Sequence, residues 1–192
     1  RSAHSARYDL PPIVRRYAYD RLHGEARTQT HSQLRNYFEA VPEPDKVHSL
    51  ADLAPAIELY HHLIGGGQFD QALELFDNRL KDPLYFQLGA YQTELELLRG
   101  LFPTSEAELP RLSNERDQAW VLNAMMMVYS PSGQSREAVQ IMRRANDLNK
   151  QRGDKENHAI GLGNLTDDLL KLGQLREAEA AARRSIALCQ EI

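Results

Sequence analysis

A single cysteine, Cys189, stands among the 192 residues, so no disulfide can close within the chain, and a reducing, cytoplasmic setting is the natural expectation. Long apolar runs are also missing. Ala124–Val128 is about the best, far short of the ~18 residues that a membrane helix needs. Positive charge is not in excess: 23 Lys and Arg face 27 Asp and Glu, a net −4, where a dedicated nucleic-acid binder carries a basic patch or stripe. The opening residues, RSAHSARYDL, hold no apolar signal core and no initiating Met, and read as the edge of a longer protein. Clean apolar/polar alternation is absent too, which argues against half-buried strands. What remains is a chain with 42% hydrophobic and 26% charged residues, too apolar for a disordered tail and of a size for one solenoid or one to two compact domains.

Helical periodicity dominates. Ile13, Val14, Tyr17, Ala18 and Leu22 stripe a first helix, opened by Pro11-Pro12, which suit a helix start. Leu34, Tyr37, Phe38 and Val41 mark a second, broken by Pro42 and Pro44. Leu53, Ile57, Tyr60 and Ile64 mark a third, stopped by Gly65-Gly66-Gly67, and Phe69, Ala72, Leu73, Phe76 and Leu80 a fourth. A less regular stretch carries a helix through Tyr91, Leu95 and Leu98 up to Pro103, and Thr104–Ser113 reads as loop. Four more helices are predicted over about 114–130, 135–151, 155–172 and 174–190. The fold class is all-α.

Three segments align on one Gly-Gln pair: Gly67-Gln68, Gly133-Gln134 and Gly173-Gln174. Five residues after each glycine comes Ala72, Ala138 or Ala178, and eight before it Leu59, Met125 or Leu165. Such spacing suits an antiparallel helix pair. Glycine ends the first helix in a left-handed conformation, the alanine lets the two axes approach, and the large apolar residue fills the seam. The last two glycines are 40 residues apart and the first two 66, so a degenerate hairpin is expected between them, around 82–113. Ala138 and Ala178 are expected to be buried where the paired helices cross.

These residues resemble the tetratricopeptide repeat: a large apolar residue in helix A, glycine at the turn, alanine early in helix B and a small residue seven later, here Ala145 or Ser185, with Arg79 departing in the first repeat. The 40-residue spacing, with RGDKENHAIGLGNL leading into helix A, is similar to the longer variant of kinesin light chains and bacterial signalling ATPases. LPPIVRRYAYDRL, HSQLRNYF and LADLAPAIELYHHLI resemble the segment that joins the nucleotide-binding and winged-helix region to C-terminal repeats in bacterial STAND/NACHT-type ATPases. The resemblance implies a right-handed superhelix of repeats over 45–192, preceded by a helical junction segment, 1–44, to an upstream domain, with the repeats as the ligand-sensing, autoinhibitory part. The junction helices are expected within Arg7–Val41, and the repeats from Leu50 onward to fold without them. No G-x-x-x-x-G-K-S/T phosphate loop occurs, so ATP hydrolysis does not carry over.

Chemistry-bearing patterns are sparse, and no catalytic, cofactor-binding or metal-ligating set is assigned. Glu58 and His61 have the E-x-x-H spacing of di-iron bundles in one copy, without the partner carboxylates, so a helix histidine is the better reading. Gly161-Leu162-Gly163 lies in a helical pattern with no preceding strand, and suits close helix packing better than phosphate binding. Cys189 reads as a small packing residue, and one or two of Met125, Met126 and Met127 as core. The expected partner is a protein or peptide in a concave groove lined by the A helices, or the chain's own upstream ATPase domain, rather than nucleic acid or membrane. Helical spacing assigns to that groove Ile57 and His61 in the first repeat, Trp120, Asn123 and Met127 in the second, and Ile160, Gly163, Asp167 and Lys171 in the third. The alternatives are a free-standing adaptor or cochaperone, and a metal-dependent helical enzyme around Glu58 and His61.

Overall fold

Each helix begins and ends where local chemistry can satisfy its free backbone groups. The computed structural model describes residues 11–192, and these form nine α-helices and no strand. α1 (Pro12–Asp20) starts behind Pro11, and the part of the expected junction helix before it falls on residues 1–10, outside the described residues. α2 (Gly24–Glu39) and α3 (Leu50–Gly65) follow. Ser49 and Asp52 cap α3 reciprocally: the Asp52 carboxylate accepts from the Ser49 and His48 amides at 2.9 Å each. α6 (Glu115–Tyr129) is capped by Asn114 and α8 (Lys155–Lys171) by Asp154, each side chain accepting a first-turn amide. α7 (Ser135–Gln151) and α9 (Leu175–Glu191) complete the last two hairpins. Among the described residues no helix is long and apolar enough to cross a membrane.

The three aligned turns share one set of hydrogen bonds. Gln68, Gln134 and Gln174 donate their amides to the carbonyls of Leu63, Tyr129 and Leu169 at 2.9–3.0 Å, and Gly67, Gly133 and Gly173 theirs to Ile64, Ser130 and Leu170. The glycines have φ between 72° and 75°, where a side chain would be strained. Gly153-Asp154, between α7 and α8, makes the same turn without the glutamine. Ala72, Ala138 and Ala178 are at most 1% exposed, and the seam residues Leu59, Met125 and Leu165 are buried beside them. Helices adjacent in the chain pack against each other, α2 on α3, α6 on α7, α7 on α8 and α8 on α9, which makes the molecule an array of helix–turn–helix repeats around one continuous core.

The first hairpin departs from the others for a visible reason. α4 (Phe69–Leu75) runs directly into a π-helical turn over Phe76–Leu80 and, after Lys81 and Asp82, a second over Pro83–Gln87. Pro83 has no N–H to give the preceding turn, and the ladder around it widens: Lys81 donates to the Phe76 carbonyl and Leu88 to that of Pro83. Arg79, where the other repeats have a small residue, lies in the first wide turn and pairs with Glu43 at 2.9 Å. Phe76, Leu80 and Leu84 still reach the core, fully buried. α5 (Tyr91–Arg99) packs on the second wide turn and on α6. The loop after it is tied down by Arg99, Glu106 and Tyr129, with Tyr129 donating to Glu106 at 2.6 Å, and by Gln118 donating to the Pro110 and Leu112 carbonyls.

Two expectations about packing are corrected. Cys189 is exposed rather than packed, in the last turn of α9, which no later helix covers among the described residues. Gly65 does not end a helix through backbone freedom: a Cβ there would lie 2.3 Å from the His31 ring, so its role is to let α2 approach α3, while Gly67 makes the turn. α1 is amphipathic but presents Ile13 (79% exposed) and Tyr17 (58% exposed) outward.

Candidate interaction groove

α6 carries its apolar seam, Leu122, Met125 and Tyr129, inward and leaves the opposite side partly open. Two cavities meet on that side. One, of about 330 Å3, lies between α6 and α8 over α7 and is lined by Arg116, Trp120 and Asn123 from α6, Asn149 from α7, and Asn157 and Ile160 from α8. The other, of about 300 Å3, is walled by Tyr85 and Phe86 of the second π turn, Glu94 of α5, and Trp120, Asn123 and Met127 of α6. Trp120 and Asn123 belong to both. The Trp120 ring stands edge-on to Phe76 at 6.3 Å, so the side chain braces the hairpins and walls the groove at once. The Lys81 ammonium lies 5.4 Å from its centroid.

Met125 and Met126 are buried, whereas Met127 is 41% exposed at the rim, and its carbonyl accepts from the Tyr85 hydroxyl at 3.5 Å. Ile160 is exposed across the first cavity. Trp120, Asn123, Met127 and Ile160 are thus brought together around one groove. The other residues assigned by spacing lie elsewhere. Ile57 is half-buried on α3 against the core, and His61 is exposed beside Tyr60. Gly163 and Asp167 are exposed on α8 and line neither cavity. Lys171 is held at the far end of the hairpin, 3.3 Å from the buried Asp168 carboxylate and 2.6 Å from the Ser130 hydroxyl. Asp168 in turn accepts from Ser130 at 2.9 Å, which ties α8 to the end of α6.

Glu94 is the residue that spacing arguments missed. It is 2% exposed, and its Oε2 has no hydrogen-bond partner among the described residues. Burial pushes its carboxyl up to about 7, with Lys81 nearby opposing and Asp82 adding to the shift. A signal was available: Glu94 lies three residues after Tyr91 and four before Leu98, on the apolar stripe of α5, where an acid is unusual. Gly161 also gains a definite role, since a Cβ there would lie 2.1 Å from Asn146 Oδ1 on α7, whereas at Gly163 it would meet only Ser185 Oγ at 3.8 Å. Among the described residues no three of His, Cys, Asp or Glu are grouped to hold a metal ion, and Glu58 and His61 are both exposed.

No protein-family model matches this chain, and no curated protein matches it. Among solved structures it is similar to the nearly identical TPR-like repeats of a kinesin light chain-like protein of Podosopora anserina. The identity is 18% and the TM-score 0.46, over 93% of this chain and 92% of that one. A form of the same protein with one glutamine replaced by methionine gives 18% and 0.45, over 92% and 91%. The repeat architecture stands on the shared turns and buried alanines of the chain itself.

Proposed function

We propose that this chain is a TPR-like protein-interaction module whose groove along α6 receives a segment of a partner protein. The observation that supports it is the partly exposed set of Trp120, Asn123, Met127 and Ile160 around two adjoining cavities. A rigid aromatic, an adaptable thioether and an amide, set on a braced helix, are the side chains that interfaces favour. Within this reading the repeats act as the ligand-sensing part of a STAND-type regulatory ATPase. That role is supported by the resemblance of the N-terminal segments to the junction of such proteins and by the outward apolar side of α1. The test is capture of partners by immobilised protein, compared between the native chain and Asn123→Ala/Ile160→Ser. Both positions are partly exposed, so stability should change by less than about 0.5 kcal/mol per site. Partners should be lost from the folded double variant, and retention of the same partners would overturn the groove. For the ATPase role, the parent protein should gain nucleotide hydrolysis when a captured partner is added.

A further inference from the structure

A buried carboxylate without a donor is costly, and the cost is relieved either by a proton or by a cation that reaches it. Glu94 is in that position at the second cavity. Aromatic side chains surround it: Tyr85, with Phe86 at 4.7 Å and Tyr91 at 5.2 Å between ring centroids, and Trp120 across the opening. Aromatic faces carry negative quadrupole charge and attract cations, most strongly when water is excluded. One cation already lies against this wall, the Lys81 ammonium over Trp120, but it is hydrogen-bonded to Asp77 one turn back. A further cavity that Trp120 also lines is bordered by Asp70, Glu74, Asp77 and Asp117 and by no basic side chain. Charge and shape therefore favour a positive, flat or slender group.

We infer that this cavity is an anchor site for a basic side chain of the partner segment, with Glu94 as its counter-ion and Tyr85, Phe86 and Trp120 as its walls. Arginine suits it better than lysine, because a guanidinium can stack on the rings while its N–H groups meet the carboxylate. The acids around Asp70 and Asp117 then favour further basic residues beside the anchor. The inference rests on the reading of this face as a partner groove and names the chemistry of the partner.

Trp120 is the only tryptophan of the chain, so its fluorescence reports on the groove into which this cavity opens, and Glu94→Gln and Phe86→Ser assign a response to this cavity. The probes are blocked pentapeptides with a central arginine, citrulline, norleucine or glutamate between serines, titrated into the full chain. The arginine peptide should give a saturable change, with citrulline and norleucine at least about ten-fold weaker, the equivalent of one lost charge-assisted contact. Glu94→Gln should weaken the arginine peptide by a similar factor. Phe86→Ser, at a position 75% exposed and so safe for folding, should weaken it less. Equal binding of norleucine and arginine peptides, preference for the glutamate peptide, undiminished binding by Glu94→Gln, or no response to any peptide would overturn the assignment. Partner capture that depends on Asn123 and Ile160 but not on Glu94 sinks this inference alone. Arginine binding without groove-dependent capture sinks the groove instead.

Discussion

At Glu94 a carboxylate occupies a place that residue patterning gives to leucine, and the consequence is a measurable pH dependence. Its carboxyl is raised from 4.5 to about 7 in the folded chain, chiefly by burial. Lys81 and Asp82 from the π-containing segment face it, and Tyr85, itself raised chiefly by burial and further by Tyr91 and Glu94, lies on the same wall. Between those two values the folded chain holds a proton that the unfolded chain has released. Stability should therefore be fullest below about 4.5 as far as this group is concerned, and fall as pH rises to about 7, by up to ~3 kcal/mol. Glu94→Gln removes the titration. Denaturant unfolding of the two proteins at a series of pH values should show the variant gaining relative to the native chain as pH increases, and parallel curves would contradict the buried, unpartnered carboxylate.

A hairpin is the next scale, and its determinant is volume at the helix crossing. Ala138 is 0% and Ala178 1% exposed, each one turn beyond a left-handed glycine that returns the chain on itself. Ala145 and Ser185 continue the small side of the same helices, and the Ser185 hydroxyl donates to the Ala159 carbonyl across the pair at 2.7 Å. Replacing Ala138 or Ala178 by leucine should force the helices apart and cost about 1–3 kcal/mol, read as a lower denaturation midpoint. Unchanged midpoints for both would mean that the helix pairs do not cross where the shared turns place them. In the first hairpin Ala72 holds the crossing position and is likewise 0% exposed, whereas the place of Ala145 and Ser185 is taken by Arg79, where the helix widens into a π turn and Arg79 pairs with Glu43.

Across the whole molecule, α2 joins the repeats through an imidazole pair rather than a repeat seam. His31 Nδ1 and His62 Nδ1 lie 3.1 Å apart, Tyr19 Oη is 3.1 Å from His31 Nε2, and Phe38 stacks on His62. Burial lowers the pKa of both histidines. Arg27 adds to this at His31, and at His62 the lowering by His31 and His61 is opposed by Glu58. Folded, both rings stay neutral where free ones would charge. Their contribution to docking is complete above the ordinary imidazole value of 6.5 and is lost as pH falls below it towards the depressed values. Acidification to about pH 5 should release α1 and α2 while α6–α9 stay closed. Hydrogen exchange would show amides of Gly24–Glu39 losing protection first. Simultaneous loss across all helices would argue that α2 is part of the same cooperative unit as the repeats.

The helices, their turns and the small residues at the crossings were legible in the sequence because each depends on neighbours along the chain. The 3.6-residue period sorts core from surface, and a left-handed helix exit selects glycine. A register of alanines then follows from two helices lying side by side. The groove was legible only in part. Trp120, Asn123 and Met127 share one face of α6, and Ile160 joins them because α8 packs beside that face, yet Gly163, Asp167 and Lys171 on the same helix point away or are drawn into the Asp168–Ser130 contacts. The aromatic cavity was legible only in its α6 wall, Trp120, Asn123 and Met127. Pro83 slips the hydrogen-bond ladder, the slip re-aims Tyr85 and Phe86, and only the packing of α5 on that widened segment brings the Glu94 carboxylate under Trp120. Gly65 illustrates the same division: its place in a glycine run marks the end of a helix, but the reason for it is the His31 ring of another helix, which only the tertiary structure sets against it.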